Sequence, residues 1–228
     1  DVAVCCVPNA GRIYPYYVKS MWLRTPKGLL CALYGASELS TEVNGAKVHI
    51  VEQTNYPFVL SIAFSIDVSQ PVEFELAFRK PAWAIGFDIH TDGKWQEENG
   101  VIKVHKTWQA GDTLVLQFQA KVKTDEFHKD EYFISYGPLV FARPLNGQAK
   151  EGRSYPVEGL RDLYYSLDDS SSLADLPDTK DVRLEQQPFH AENPWETLHI
   201  TIGSKTSSKL VPMGASILRQ ITFRKSIT

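Results

Sequence analysis

Two cysteines stand side by side at positions 5 and 6, in the stretch "CCVPN". Adjacent cysteines rarely bond to each other, because the small ring strains the peptide between them. Such a pair can lend thiolates to a metal, present a nucleophile, or stay buried and inert. A closed zinc site needs four ligands, often in C-x2-C form, and Cys5-Cys6 lacks that spacing. The third cysteine, Cys31, falls in a segment that reads as a strand. The six histidines are scattered singly. His49, His90, His105 and His199 sit in strand-like segments, and His128 and His190 in polar ones. None forms H-x-H or H-E-x-x-H, the spacings that set two ligands on one face. Glycoside hydrolysis needs two carboxylates. The pairs on offer are Glu97-Glu98, Asp125-Glu126, Asp130-Glu131 and Asp168-Asp169, all in hydrophilic turns where a solvated surface explains them. From local spacing alone, buried or idle cysteines outweigh a metal site, and the active-site inventory is incomplete.

The elements that must position these residues change character along the chain. Helical spacing is clear only over residues 8–24, where Ile13, Tyr16, Tyr17, Met21 and Leu23 recur near one face. Pro8 suits a first turn, Pro15 falls inside the pattern, and Pro26 and Gly28 stop it. From there to about residue 124 the period is two. "GLLCALYG" reads as a buried strand, and "AKVHIVEQT" sets Val48, Ile50 and Glu52 against His49, Val51 and Gln53. "FVLSIAFSI" and "VEFELAFRK" follow. "AIGFDIHTDGKW" carries Asp92-Gly93, a hairpin-type turn, and "GVIKVHKTW-QAGD-TLVLQFQAKV" reads as a further hairpin. The charged tract "KVKTDEFHKDE" marks a boundary near residues 123–131. Strand character resumes in "YFISYGPLVFARPL", and residues 146–181 read as irregular, with a weak helical possibility within "SLDDSSSLADLPDTKD". "VRLEQQPF", "ETLHITIGS" and "ASILRQITFRK" close the chain as strands. The expected fold class is mainly β: two antiparallel β-sandwich domains, 26–128 and 129–228, behind one N-terminal helix over residues 1–25.

With 43% hydrophobic residues and a formal net charge of −3, the chain has the composition of a folded globular protein. No basic stripe suggests a nucleic-acid partner, and no apolar run approaches the roughly 18 residues of a membrane helix. Three cysteines are too few for a disulfide-stapled module. Trp83 and Trp108 are bulky enough to anchor a core, whereas Trp95 or Trp195, if exposed, would suit stacking on a sugar.

Several of these pieces resemble one family when taken together. "CCVPN", "TNYPF", "RKPAW", "TWQAGD", "YGPLVFA" and "LVPMGASILR" fall in the order seen in glycoside hydrolase family 127-type proteins, the β-L-arabinofuranosidases and their relatives. The resemblance implies a helical (α/α) barrel followed by two β-sandwiches, with residues 1–25 as the last piece of the barrel. It also implies Cys5 as nucleophile and zinc ligand, Cys6 as a second zinc ligand, and an arabinofuranoside-like carbohydrate as substrate of the intact parent. The remaining ligands and the acid/base Glu would lie upstream, so this stretch alone is expected to be inactive and to hold no zinc stoichiometrically. Thr91-Asp92-Gly93 stands where the family commonly has Asn-Gly, and Met213 where it commonly has an aromatic. The competing expectation is a free-standing carbohydrate-binding or structural β-sandwich protein. The helix, apolar on one stripe, could then support a homodimer. Any export signal would precede Asp1; free thiolates lean slightly toward a reducing compartment, while polysaccharide-degrading relatives are often periplasmic, so the location reads as cytoplasmic or periplasmic.

Overall fold

The computed structural model describes residues 6–158, 161–168, 175, 182–202 and 208–224. It divides into two compact units, Asp1–Ala120 and Lys121–Thr228. The first opens with one helix, α1 (Cys6–Lys19), followed by β1 (Trp22–Thr25), β2 (Gly28–Cys31), β3 (Ser37–Val43), β4 (Ala46–Thr54) and β5 (Ser61–Val68). It continues with β6 (Val72–Arg79), β7 (Gly86–His90), β8 (Lys94–Glu98), β9 (Val101–Trp108) and β10 (Asp112–Gln119). These strands form two five-stranded sheets, ordered β1-β2-β6-β9-β8 and β3-β4-β5-β10-β7. Pairing is antiparallel except between β2 and β6. There Gly28, at φ +152°, brings its Cα so close to the Glu75 carbonyl that no side chain fits.

Period-two alternation drives this sandwich. Along β4, Ala46, Val48 and Ile50 turn inward while Lys47 and His49 face out. β5 and β6 do likewise, so that Phe64 and Phe78 meet with ring centroids 4.8 Å apart. Trp108 is fully buried at the end of β9 and donates its indole N–H to the Phe74 carbonyl at 3.1 Å. The residues after it explain the rest of "TWQAGD". The Gln109 amide donates to Asp112 Oδ2 at 2.8 Å, and Gly111 takes φ +83° to turn the chain. Lys106 ties the corner to the preceding loop, 2.9 Å from Asp112 and 2.6 Å from Asp92.

Two turns read as hairpins are crossovers instead. β7 and β8, on either side of Asp92-Gly93, belong to different sheets, as do β9 and β10. Ile102 on β9 and Leu116 on β10 are both fully buried, each from its own sheet. The tight hairpins lie at Asn44-Gly45 and Asn99-Gly100, where both residues of each pair have positive φ. The helix also ends earlier than its pattern predicts, because Trp22–Thr25 pairs with Gly28–Cys31 instead of continuing it.

The second unit contains β11 (Val122–His128), β12 (Glu131–Tyr136), β13 (Leu139–Pro144), β14 (Gly147–Ser154), β15 (Arg161–Leu167) and β16 (Val182–Gln186). β17 (Leu198–Ile202), β18 (Ser208–Pro212), β19 (Arg219–Gln220) and β20 (Phe223–Arg224) complete it. The main sheet runs β11-β12-β13-β18-β17-β16, with β19 on β13 and β20 on β12. Its core is Ile134, Phe141, Leu198, Ile200, Ile202, Leu210 and Phe223. The charged tract expected to act as a boundary is strand β11, paired with β12. Part of the tract expected to be irregular is the β14–β15 hairpin, whose exposed residues carry no inward apolar face to betray it. The possible helix within residues 166–181 falls almost wholly outside the described residues. The mainly β class with one N-terminal helix holds throughout.

Replacing Trp108 by Ala removes a fully buried ring and leaves the Phe74 carbonyl without its donor. We expect a loss of about 3–5 kcal/mol in the unfolding of the first unit, read from a urea titration.

Candidate functional site

Cys5 lies outside the described residues, and Cys6 is the first residue of α1. The pair therefore leads directly into a helix. Over residues 11–19 that helix is exposed on every side, Ile13, Tyr14, Tyr16 and Val18 included. Tyr17 anchors it, its hydroxyl donating to the Tyr34 carbonyl at 3.2 Å.

Beneath that anchor sits a compact polar cluster. Tyr34 is buried and donates its hydroxyl to the Arg79 carbonyl at 2.6 Å. Arg79 Nε in turn donates to the Ala32 carbonyl at 2.6 Å. The loop between β2 and β3 is thus held from both sides. Its other support is Glu52, only 1% exposed, which occupies the inward position of β4 after Val48 and Ile50. Glu52 accepts from the Gly35 amide at 3.0 Å and from Ser37 Oγ at 2.8 Å, and Cys31 Sγ approaches it at 3.9 Å. The Ser37 hydroxyl also accepts the indole N–H of Trp22 at 3.2 Å. Aromatic rings seal the cluster: Tyr34 meets Phe118 and Tyr56, and Trp83 meets Phe118. The unit "RKPAW" therefore supplies two of its parts, Arg79 and Trp83.

Burial sets the electrostatics. It raises the Glu52 carboxyl to about 7, against the opposing hydrogen bonds from Gly35, Ser37 and Cys31. Burial, and then the Glu52 charge, push the Cys31 thiol well above its ordinary range. Cys31 is consequently a neutral core thiol, a poor nucleophile and a poor metal ligand. Tyr17 and Tyr56 are raised chiefly by burial as well.

The other candidates lie apart from this cluster. His49 is bonded to Ser40 Oγ at 3.0 Å, and His105 lies 2.9 Å from Glu73. Glu97 and Glu98 pair with Lys80 and Lys103, and Glu131 with Arg224. These are surface ion pairs, not acid/base pairs. Among the described residues, no group of three His, Cys, Asp or Glu is placed to hold a metal ion. Cys5-Cys6 could supply at most two of the four ligands of a closed zinc site.

Residues 28–120 match the family model of the GH127 β-L-arabinofuranosidase middle domain. Nearly the whole chain shares the fold of part of several solved structures. A GH127 β-L-arabinofuranosidase from Geobacillus stearothermophilus T6 superposes over 98% of this chain and 38% of its own, with a TM-score of 0.73 at 20% identity. A structure described as a glycoside hydrolase covers 99% of this chain and 40% of its own, with a TM-score of 0.62 at 17% identity. A GH127 β-arabinofuranosidase covers 99% and 39%, with a TM-score of 0.60 at 14% identity. A search of curated proteins finds no match. The first sandwich is similar to the GH127 middle domain, and the resemblance read from the sequence units holds. The chain spans about two fifths of the length of these solved structures.

The Glu52 shift has a stability consequence of definite sign. Between its ordinary value of 4.5 and about 7 the folded state keeps a proton that the unfolded state releases. The contribution is therefore complete below 4.5 and is lost as pH rises toward 7, by on the order of 3 kcal/mol at most. Glu52→Gln, which mimics the neutral form, should remove this slope from urea midpoints measured across that range. A slope that persists in Glu52→Gln would assign it to other groups.

Proposed function

We propose that this chain is the C-terminal part of a retaining glycoside hydrolase acting on β-L-arabinofuranosides. The observation that carries the reading is the attachment of α1, which begins at the cysteine pair, to a GH127-type middle domain through Tyr17 and Tyr34. The exposed Ile13, Tyr14, Tyr16 and Val18 support it, being a surface that the rest of a helical barrel would cover. The match to the middle domain, rather than to a free-standing binding module, favours it further.

In this reading Cys5 is the nucleophile. Its thiolate attacks the anomeric carbon while the glycosidic C–O bond breaks, and a carboxylic acid elsewhere in the parent protonates the departing oxygen. Water, deprotonated by the resulting carboxylate, then cleaves the thioglycoside and restores the thiolate with retained configuration. Cys5 and Cys6 would supply two thiolate ligands to a zinc ion whose other ligands lie outside this chain. Bound there, the cation would keep the thiols ionised at neutral pH. The sandwiches would brace the barrel, and Tyr17 would fix where α1 starts.

Three measurements test this. The 228-residue chain alone should release no arabinose from an aryl β-L-arabinofuranoside, and measurable turnover would contradict the assignment. In the longer parent, Cys5→Ser should lower turnover at least about 10³-fold with the fold intact. Cys6→Ala should lower retained zinc, measured by elemental analysis.

A further inference from the structure

The end of α1 and the start of β1 are both fastened to one buried carboxyl. Met21, just past the helix, is 4% exposed, and its carbonyl accepts from the Ala32 and Leu33 amides at 2.8 and 3.4 Å. Its terminal methyl lies against Gly35, where an added Cβ would sit 3.3 Å away. The Tyr17 hydroxyl reaches the Tyr34 carbonyl, so residues 32–35 together receive the helix. Glu52 holds that loop at the Gly35 amide. Through Ser37 Oγ it also holds the indole of Trp22, the first residue of β1. Parting Glu52 from these two donors therefore frees both the loop beneath the helix end and the strand that follows it.

The partners of this carboxyl are an amide, a hydroxyl and the Cys31 thiol. Among the described residues no cation pairs with it, and the guanidinium of the cluster, Arg79, donates Nε to the Ala32 carbonyl instead. A buried acid so placed is tolerated while neutral and disfavoured once ionised. The other titratable groups that face it hold one state through neutral pH. Cys31 on β2, Tyr34 in the loop, Tyr17 on α1 and Tyr56 between β4 and β5 are each raised, chiefly by burial, and keep their protons. Arg79, at the end of β6, carries a permanent charge. Glu52 is the group of this cluster whose charge changes there.

An ionised Glu52 must reach water, and the structure offers one side that can yield. β4, which carries it, is paired by β3 on one edge and β5 on the other and cannot move without the sheet. Residues 32–36 lie between β2 and β3 and belong to neither strand. Such a segment opens locally at far less cost than a central strand. We propose that Glu52 is a pH-operated latch: protonated, it seats the end of α1, and on losing its proton it opens loop 32–36 and releases the helix while the sandwich stays folded. The latch rests on this geometry alone, whereas its bearing on the cysteine pair at the head of α1 rests on the reading above.

Hydrogen exchange of single amides, followed by NMR on the 228-residue chain from pH 5 to 8, tests it. Rates are corrected for the exchange of unstructured amides at each pH. The open loop gives up a proton that the closed loop keeps, so opening is favoured as pH rises from the ordinary 4.5 toward about 7. The expected result is an excess rise at the Ala32, Leu33 and Gly35 amides of about tenfold per pH unit below 7, levelling above it. The Ser20 amide, which closes the last turn of α1, should share that rise, and the β5 amides should exchange far more slowly throughout. Glu52→Gln should abolish the excess. No excess at the loop amides, one that Ser20 does not share, one seen only at the rate of β5, or one that persists in Glu52→Gln would overturn the latch. Should that variant not fold, the comparison of loop, Ser20 and β5 in the unaltered chain still decides. No turnover is involved, so the latch and the enzymatic reading can fail separately.

Discussion

A carboxyl group with almost no solvent contact sits where the alternation of a strand calls for an aliphatic side chain, and the start of the chain depends on it. Glu52 is held by the Gly35 amide and the Ser37 hydroxyl, and through them it holds the loop between β2 and β3. That loop carries Tyr34, whose carbonyl receives Tyr17 and whose hydroxyl reaches β6 at Arg79. A helix exposed over residues 11–19 has little burial there to keep it in place. Its position on the sandwich is fixed by a few directed bonds that end at one buried acid. Such an arrangement costs stability as the acid ionises, and what it secures is orientation.

The sandwich around this cluster is built so that successive strands often change sheets. β7 and β8, then β9 and β10, place neighbours in sequence on opposite layers. Each crossing needs a corner with its backbone groups satisfied. Asp112 and Gly111 provide this at one corner, and Lys106 joins it to the other through Asp92. Units that look like a motif of activity, "TWQAGD" and "RKPAW", are therefore explained by turns and packing.

Much of this was legible in the sequence, and the failures have physical causes. The inward register of β4, with Glu52 following Val48 and Ile50, is visible in plain alternation. Nothing in that pattern says whether an inward glutamate is satisfied, since its donors at Gly35 and Ser37 come from another strand's approach. Strand existence is local, but strand partnership is not, so Asp92-Gly93 reads as a hairpin when burial sends its flanks to separate sheets. Asn44-Gly45 and Asn99-Gly100 are the stronger hairpin signals, and there the structure agrees with backbone preference. Residues of β14 and β15 alternate no apolar face and could not be found by period.

The cysteine pair, the anchored helix and the middle domain make one account only if residues 1–228 work as part of a longer enzyme. The size of the natural gene product, determined by immunoblot and peptide mass mapping in the source cell, tests that most directly. The account predicts a product well above 25.7 kDa, with helical sequence and further thiol and carboxylate ligands preceding Cys5. A natural product of this size would leave the cysteines without partners and contradict it, and a carbohydrate-binding role would then stand in its place.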